Sequence, residues 1–267
     1  MQDHQRSILF SPVGLERFVN KLSPLRQVVV LKVKVSLKKE VEGKKWKVFI
    51  TGFQGVGFTG YIALKHLVSS LKARPIGVIE TPSLPPLVWM DGERLISPLQ
   101  LYEHENFVFF IAEAIPPSKD QYGLFRSIVD WVVDGGFEEA VLIGGLDQRF
   151  KRGDDKMRCA ATEAYVKARG LRVPVIEKGL LITGPLALML HRFEVRDFPA
   201  VALLPYANMS RPDPLAAANS IALLNELYGL NVDYTELVKD AERIEQEVKE
   251  FLERREAERR AESQAYI

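Results

Sequence analysis

Residues 55–60 read Gly55-Val56-Gly57-Phe58-Thr59-Gly60, a literal G-x-G-x-x-G, with a β-branched apolar run before it and helix-forming sequence after it. The next apolar run closes on Glu80, twenty residues past Gly60. These are the parts of a dinucleotide fingerprint. Glycines let a pyrophosphate approach a helix N-terminus, and a carboxylate holds a ribose hydroxyl. The turn therefore carries one reading as a nucleotide- or nucleoside-binding enzyme working through residues 52–60.

The spacing argues against that chemistry. In the fingerprint the first glycine follows the strand directly, whereas here Thr51-Gly52-Phe53-Gln54 intervene. Tyr61 and Lys65 imitate a dehydrogenase Tyr/Lys pair but fall inside the first helix, away from any site formed by later strands. Glu80 runs into Thr81-Pro82-Ser83-Leu84-Pro85-Pro86, a rigid extended segment that leaves little room for a βαβ continuation. The glycines are expected to serve a tight turn and close helix-to-sheet packing.

No catalytic set assembles elsewhere. Cys159, the single cysteine, has no histidine near it in sequence and excludes an intramolecular disulfide. His66 falls on an early helix, His104 sits between Glu103 and Glu105, and His191 follows an apolar helix, so each reads as structural or surface. No catalytic residue, metal site or cofactor is expected.

Composition bounds the class. The 267 residues are 47% hydrophobic and 27% charged, the profile of a globular chain large enough to bury a sizeable core. A net charge of +1 offers no long-range field for a phosphate backbone, so nucleic acid is not an expected partner. No run approaches the roughly 18 apolar residues that span a bilayer, and the opening Met1-Gln2-Asp3-His4-Gln5-Arg6 has no long apolar core behind it. A cytoplasmic protein without membrane attachment is expected.

The elements that must position these residues alternate. Residues 27–36, QVVVLKVKVS, and residues 46–51 read as a hairpin around Glu42-Gly43. Beyond it, strands are expected at 75–80, 106–112, 140–144, 173–177 and 200–204, with helices at 60–72 and 118–134 and another ending at Gly229. Ser118 with Gln121 suggests a capping box, Gly135-Gly136 a stop and Asp213-Pro214 a helix start. Buried strands alternating with helices imply an α/β fold with a largely parallel sheet covered on both faces.

That domain is expected to span residues 1–232. Asp233 then reads as an N-cap for a helix over 233–262 with one narrow apolar stripe, Leu237, Ala241, Ile244, Val248 and Phe251/Leu252. Past Leu252 the sequence ERREAERRAES relies on Glu/Arg pairs at helical spacing. Fully helical, the segment projects about 45 Å at 1.5 Å per residue. Residues 263–267 are expected to form a flexible tail.

The order of signatures resembles the proteasome assembly chaperone family in its archaeal form. It runs through Thr51-Gly52-Phe53-Gln54-Gly55-Val56-Gly57, Pro82-Ser83-Leu84-Pro85-Pro86, Ile115-Pro116-Pro117, Ile143-Gly144-Gly145-Leu146, Ile182-Thr183-Gly184-Pro185 and Asn208-Met209-Ser210-Arg211-Pro212-Asp213-Pro214. The segment Asp147 to Arg158, DQRFKRGDDKMR, is more charged than the family pattern. The resemblance implies a fold similar to purine nucleoside phosphorylases, with a mixed, largely parallel central sheet flanked by helices, in proteins that bind rather than catalyse.

The resemblance also implies a partner, the α-subunits of the proteasome core particle. Ala265-Tyr266-Ile267 fits the pattern hydrophobic, tyrosine, any residue with which proteasome activators and some assembly chaperones dock. In such docking a terminal carboxylate pairs with a lysine between neighbouring α-subunits while the tyrosine ring fills the pocket wall. One short tail binds weakly, so several tails on a homo-oligomer are expected.

Overall fold

The computed structural model describes residues 33–265, with side chains described over 33–250. Its frame is a nine-stranded sheet ordered β1 (Lys34–Leu37), β3 (Arg74–Glu80), β6 (Leu99–His104), β7 (Phe107–Ala112), β2 (Val48–Gly52), β8 (Glu139–Ile143), β11 (Ala200–Ala207), β10 (Met157–Ala161). The short β9 (Leu146–Asp147) adds to β11, and β4 (Trp89–Asp91) and β5 (Arg94–Ile96) form a separate hairpin. β7, β2, β8 and β11 run parallel at the centre, and antiparallel pairs close both flanks. The sheet is thus mixed around a parallel core.

The parallel strands are apolar apart from Thr51, bonded to the Phe110 carbonyl, and Glu139, paired with Arg169, because both of their faces are covered. Along β2, Phe49 joins Phe110 under α2 (Ser118–Asp134) and α4 (Gly184–Val195), which supply Leu124, Phe125, Ile128, Met189 and Phe193. Ile50 points the other way, joining Phe109 and Ile111 under α1 (Thr59–Ser70) and α5 (Pro214–Tyr228), which supply Leu64, Leu67, Ile221 and Leu224. The period-2 alternation of a single strand therefore feeds two cores. A short helix, α3 (Glu163–Arg169), follows β10 and is capped by the Thr162 side chain.

Several local expectations are corrected. β1 does not pair with β2 in a hairpin; it crosses to the sheet edge beside β3, and Gly77 permits this because a Cβ there would lie 2.5 Å from the Ser36 carbonyl. The part of that run before residue 33 lies outside the described residues. Ser118 makes no cap; Pro117 occupies the N-cap, and the Gln121 amide donates to the Pro116 carbonyl at 2.9 Å. Residues 173–177 form only a bridge, Val175 to Cys159, since Pro174 has no N–H to continue a ladder. Asp213 does cap α5, accepting from the Ala216 N–H at 3.0 Å.

The last helix, α6 (Thr235–Ala265), starts where the Asp233 carboxylate accepts from the Thr235 N–H and hydroxyl at 2.9 and 2.6 Å. Leu237 is buried, Ala241 and Ile244 are half-buried, and Val248 is exposed, so the apolar stripe outlasts the domain that covers its first turns. The helix continues through Ala265 because no glycine or proline interrupts residues 251–265. No helix among the described residues is long and apolar enough to cross a membrane.

One polar cluster ties the antiparallel flank together. Glu103, 2% exposed, accepts from the Trp46 indole at 2.5 Å and from Lys44 at 2.9 Å, and pairs with Arg74. Burial raises its carboxyl, but the bonds from Lys44, Trp46 and Arg74 outweigh that and hold it below its ordinary value. A group depressed in the folded state stabilises above the unfolded value and loses that contribution as pH falls through the folded one. Glu103→Gln should cost about 1–3 kcal/mol at neutral pH, with Lys44 and Arg74 partly screened by solvent. As the pH falls below about 4.5 the wild type should lose more stability than the variant. Urea denaturation across pH measures this, and parallel curves for the two proteins would remove Glu103 as the cause.

Candidate functional site

Strands that run parallel open their carboxyl ends on one side, and the crevice outside those ends is where open α/β sheets place ligands. Here β2, β8 and β11 end beside one another. The turn after β2, residues 53–58, leads the G-x-G-x-x-G motif into α1, and its geometry is that of packing. A Cβ on Gly60 would stand 2.2 Å from the Ile143 carbonyl oxygen, and one on Gly52 would stand 2.7 Å from the Gly60 Cα. Gly57, at φ +61°, lies against Ala207 and Asp213, and a Cβ added to it would be only 2.8 Å from the Ala207 Cβ.

The turn also consumes its own donors. The Gly55 N–H donates to the Phe53 carbonyl at 2.9 Å and the Phe58 N–H to the Gly55 carbonyl at 3.0 Å. The Thr59 hydroxyl donates to the Val56 carbonyl, and the Gly57 carbonyl accepts from the Asp213 N–H at 2.8 Å. The N–H groups are ones a pyrophosphate would have to recruit. Glu80 ends β3, three places along the sheet from β2, and accepts from the Ser36 hydroxyl. It cannot face a ribose held at the turn.

Tyr61 and Lys65 instead converge on one carboxylate. The Tyr61 hydroxyl donates to Glu113 Oε2 at 2.5 Å, and Lys65 Nζ donates to Oε1 at 3.0 Å. Burial first, and then the bond to Glu113, push the tyrosine hydroxyl well above its ordinary value, the wrong direction for a proton donor. Cys159 is 1% exposed, its thiol is raised by burial and it donates to the Val173 carbonyl, so it is a packing residue. His66 Nε2 lies 2.7 Å from the Asp233 carbonyl, holding α1 to the start of α6. Among the described residues no group of three or more His, Cys, Asp or Glu could hold a metal.

What remains at the carboxyl ends is a cavity of about 490 Å³. Its walls come from Phe53 and Val56 after β2, Gly144 and Leu146 after β8, Leu204 of β11 and Leu186 of α4. Gly145 brings the β8 loop against the turn, since a Cβ there would lie 2.5 Å from the Val56 carbonyl. Asp147 is buried in the wall and accepts from Arg149 Nε and Nη2 at 2.8 and 2.5 Å. Those bonds hold its carboxyl below its ordinary value. Sequence reasoning did not find this cavity, because its lining comes from segments more than 100 residues apart in the chain. Of the expected docking residues, Ala265 is the last residue of α6, and Tyr266 and Ile267 lie outside the described residues.

Comparison with known proteins fits this architecture. The Pyrococcus furiosus protein PbaA, an archaeal homologue of proteasome-assembly chaperone, is 27% identical, with a TM-score of 0.70 over 88% of this chain and 98% of that one. P. furiosus PbaB, an archaeal proteasome activator, shares the fold at 21% identity and a TM-score of 0.68, over 82% of this chain and 98% of its own. An uncharacterised protein of Methanocaldococcus jannaschii is 26% identical over 208 residues, 77% of this chain and 85% of that protein. The model of the PAC2 family matches residues 49–252, from β2 into α6, and the chain belongs to that family.

Proposed function

We propose that this protein binds the proteasome core particle, assisting its assembly or the opening of its gate, and that it docks by inserting Ala265-Tyr266-Ile267 into pockets between neighbouring α-subunits. The observation that carries this reading is the likeness over nearly the whole chain to an archaeal homologue of proteasome-assembly chaperone. A binding role also accords with the turn and the Tyr61/Lys65 pair, whose polar groups serve the fold. The long α6 supplies reach. Its exposed turns over residues 245–250 lead toward the tail, and 31 helical residues extend about 46 Å.

Identical tails on a homo-oligomer would act together. Once one is seated, the next binds at a high effective concentration, so modest single-tail affinity becomes tight attachment. The first test is capture of purified core particle by the immobilised protein with and without residues 265–267. Capture should be lost with the three residues while the unfolding midpoint is unchanged. Full capture by the shortened chain would remove the tail from the mechanism.

A further inference from the structure

The proposed tail docking makes no use of the crevice at the carboxyl ends of β2, β8 and β11, whose lining is distinctive. Its floor is apolar, while its lip carries Phe150, Leu181 and Met209, which are 45, 83 and 63% exposed. Large apolar side chains gathered around one opening mark an interaction surface rather than scattered exposure.

The chain around that lip is cationic. Lys151 and Arg152 follow Phe150, Lys178 lies between the lining residues Ile176 and Leu181, and Arg211 follows Met209 by two residues. None of these four side chains makes an ion pair or hydrogen bond among the described residues. The nearby acids are mostly committed, Asp147 to Arg149, Asp155 and Glu177 to Arg158 at 2.6 and 2.9 Å, and Asp213 to the Asn208 and Ala216 N–H groups, leaving Asp154. The surplus charge at the lip is positive.

This pattern selects an occupant. A small hydrophilic anion would leave the apolar floor unused, and a purely apolar ligand would leave the cations unused. A symmetric contact with the same face of a second copy would set cation against cation, which is repulsive. We propose that the crevice receives an extended segment of a partner protein in which large apolar side chains are flanked by carboxylates. The apolar side chains enter past Phe150 and Leu181, and the carboxylates meet Lys151, Arg152, Lys178 and Arg211.

Fluorescence anisotropy with the full chain and no core particle tests the crevice alone. The probe is a labelled, C-terminally amidated peptide, Glu-Asp-Phe-Leu-Glu-Asp, compared with Lys-Lys-Phe-Leu-Lys-Lys and Glu-Asp-Ser-Ser-Glu-Asp. The first should bind saturably and the other two should not. Binding should weaken by about tenfold or more in Leu181→Ser, in the Lys151→Glu/Arg152→Glu double variant, and on raising salt to about 0.5 M. All three substituted positions are exposed, so circular dichroism should match the wild type. The salt series on the unmodified chain is an independent check.

Absence of saturable binding would overturn the proposal, as would equal binding of the basic peptide or indifference to both variants. A fall in assembly mass for Leu181→Ser by light scattering would also overturn it, because the crevice would then be covered by another copy.

Discussion

Adding a single glycine after Ile267 should reduce binding to the proteasome core particle as severely as removing residues 265–267. In the proposed docking, the Ile267 carboxylate pairs with a lysine in a desolvated pocket, and extension displaces that charge while leaving every original side chain in place. Breaking such a pair costs about 2–5 kcal/mol, and each 1.4 kcal/mol is about tenfold in affinity. Tyr266→Ala should be comparable, because it removes the ring that fills the pocket wall along with its hydroxyl. Ile267→Ala should be milder, since that position is read mainly through its carboxylate. In the proposed homo-oligomer the losses multiply through avidity, so the contrast is sharpest on a surface bearing sparse core particle. Surface plasmon resonance on the wild type and these four variants measures this. Wild-type affinity in the glycine-extended protein would overturn the carboxylate mechanism, and the folded domain would then have to carry the attachment.

How far the sequence disclosed this molecule depended on how many faces each element buries. Residues 48–52, 107–112, 139–143 and 200–207 are apolar on both faces except at Thr51 and Glu139 because helices cover both sides of the parallel core, and such runs are legible without knowing their neighbours. The antiparallel flanks were harder. β10 hides in a charged segment because only Met157 and Cys159 of its first three residues are apolar, and Arg158 between them is buried by pairing with Asp155 and Glu177. β1 was legible as a strand but not in its pairing, since the partner that accepts it is decided by Gly77, forty residues away.

The candidate sites divide in the same way. A tail motif is contiguous and can be read directly, although Tyr266 and Ile267 fall outside the described residues. The crevice draws its lining from five separated stretches, and the apolar lip residue Met209 is distinguished from a core methionine only by its exposure in the fold. The one available signal was the charge excess over residues 147–158, which was visible but had no apolar partner until the sheet brought Leu181 and Phe150 to the same opening.

The glycine turn offers the second large effect, because packing and phosphate binding rank its glycines differently. If the turn held a pyrophosphate, Gly55, the first glycine of the motif, would be among the sensitive positions. In the fold, a Cβ on Gly55 meets nothing within 4 Å, and its backbone φ of −112° lies outside the left-handed region that favours glycine. Gly60 is the opposite case. It lies in the first turn of α1, where alanine is favoured over glycine by about 1 kcal/mol on propensity alone, yet its Cβ would lie 2.2 Å from the Ile143 carbonyl and 2.8 Å from the Phe53 nitrogen. Both neighbours are backbone and cannot rotate away, so α1 must lift off β2 and β8. Gly60→Ala should therefore cost about 3 kcal/mol or more despite the propensity gain. Gly57→Ala should also destabilise, through its left-handed backbone and the Ala207 contact, whereas Gly55→Ala should fall within about 0.5 kcal/mol of wild type. Urea unfolding midpoints at an unchanged slope would report the order directly. A Gly60→Ala protein as stable as wild type would show that α1 is not seated by this contact, and a Gly55→Ala protein that is the least stable of the three would place the demand on the loop rather than on the helix-to-sheet packing.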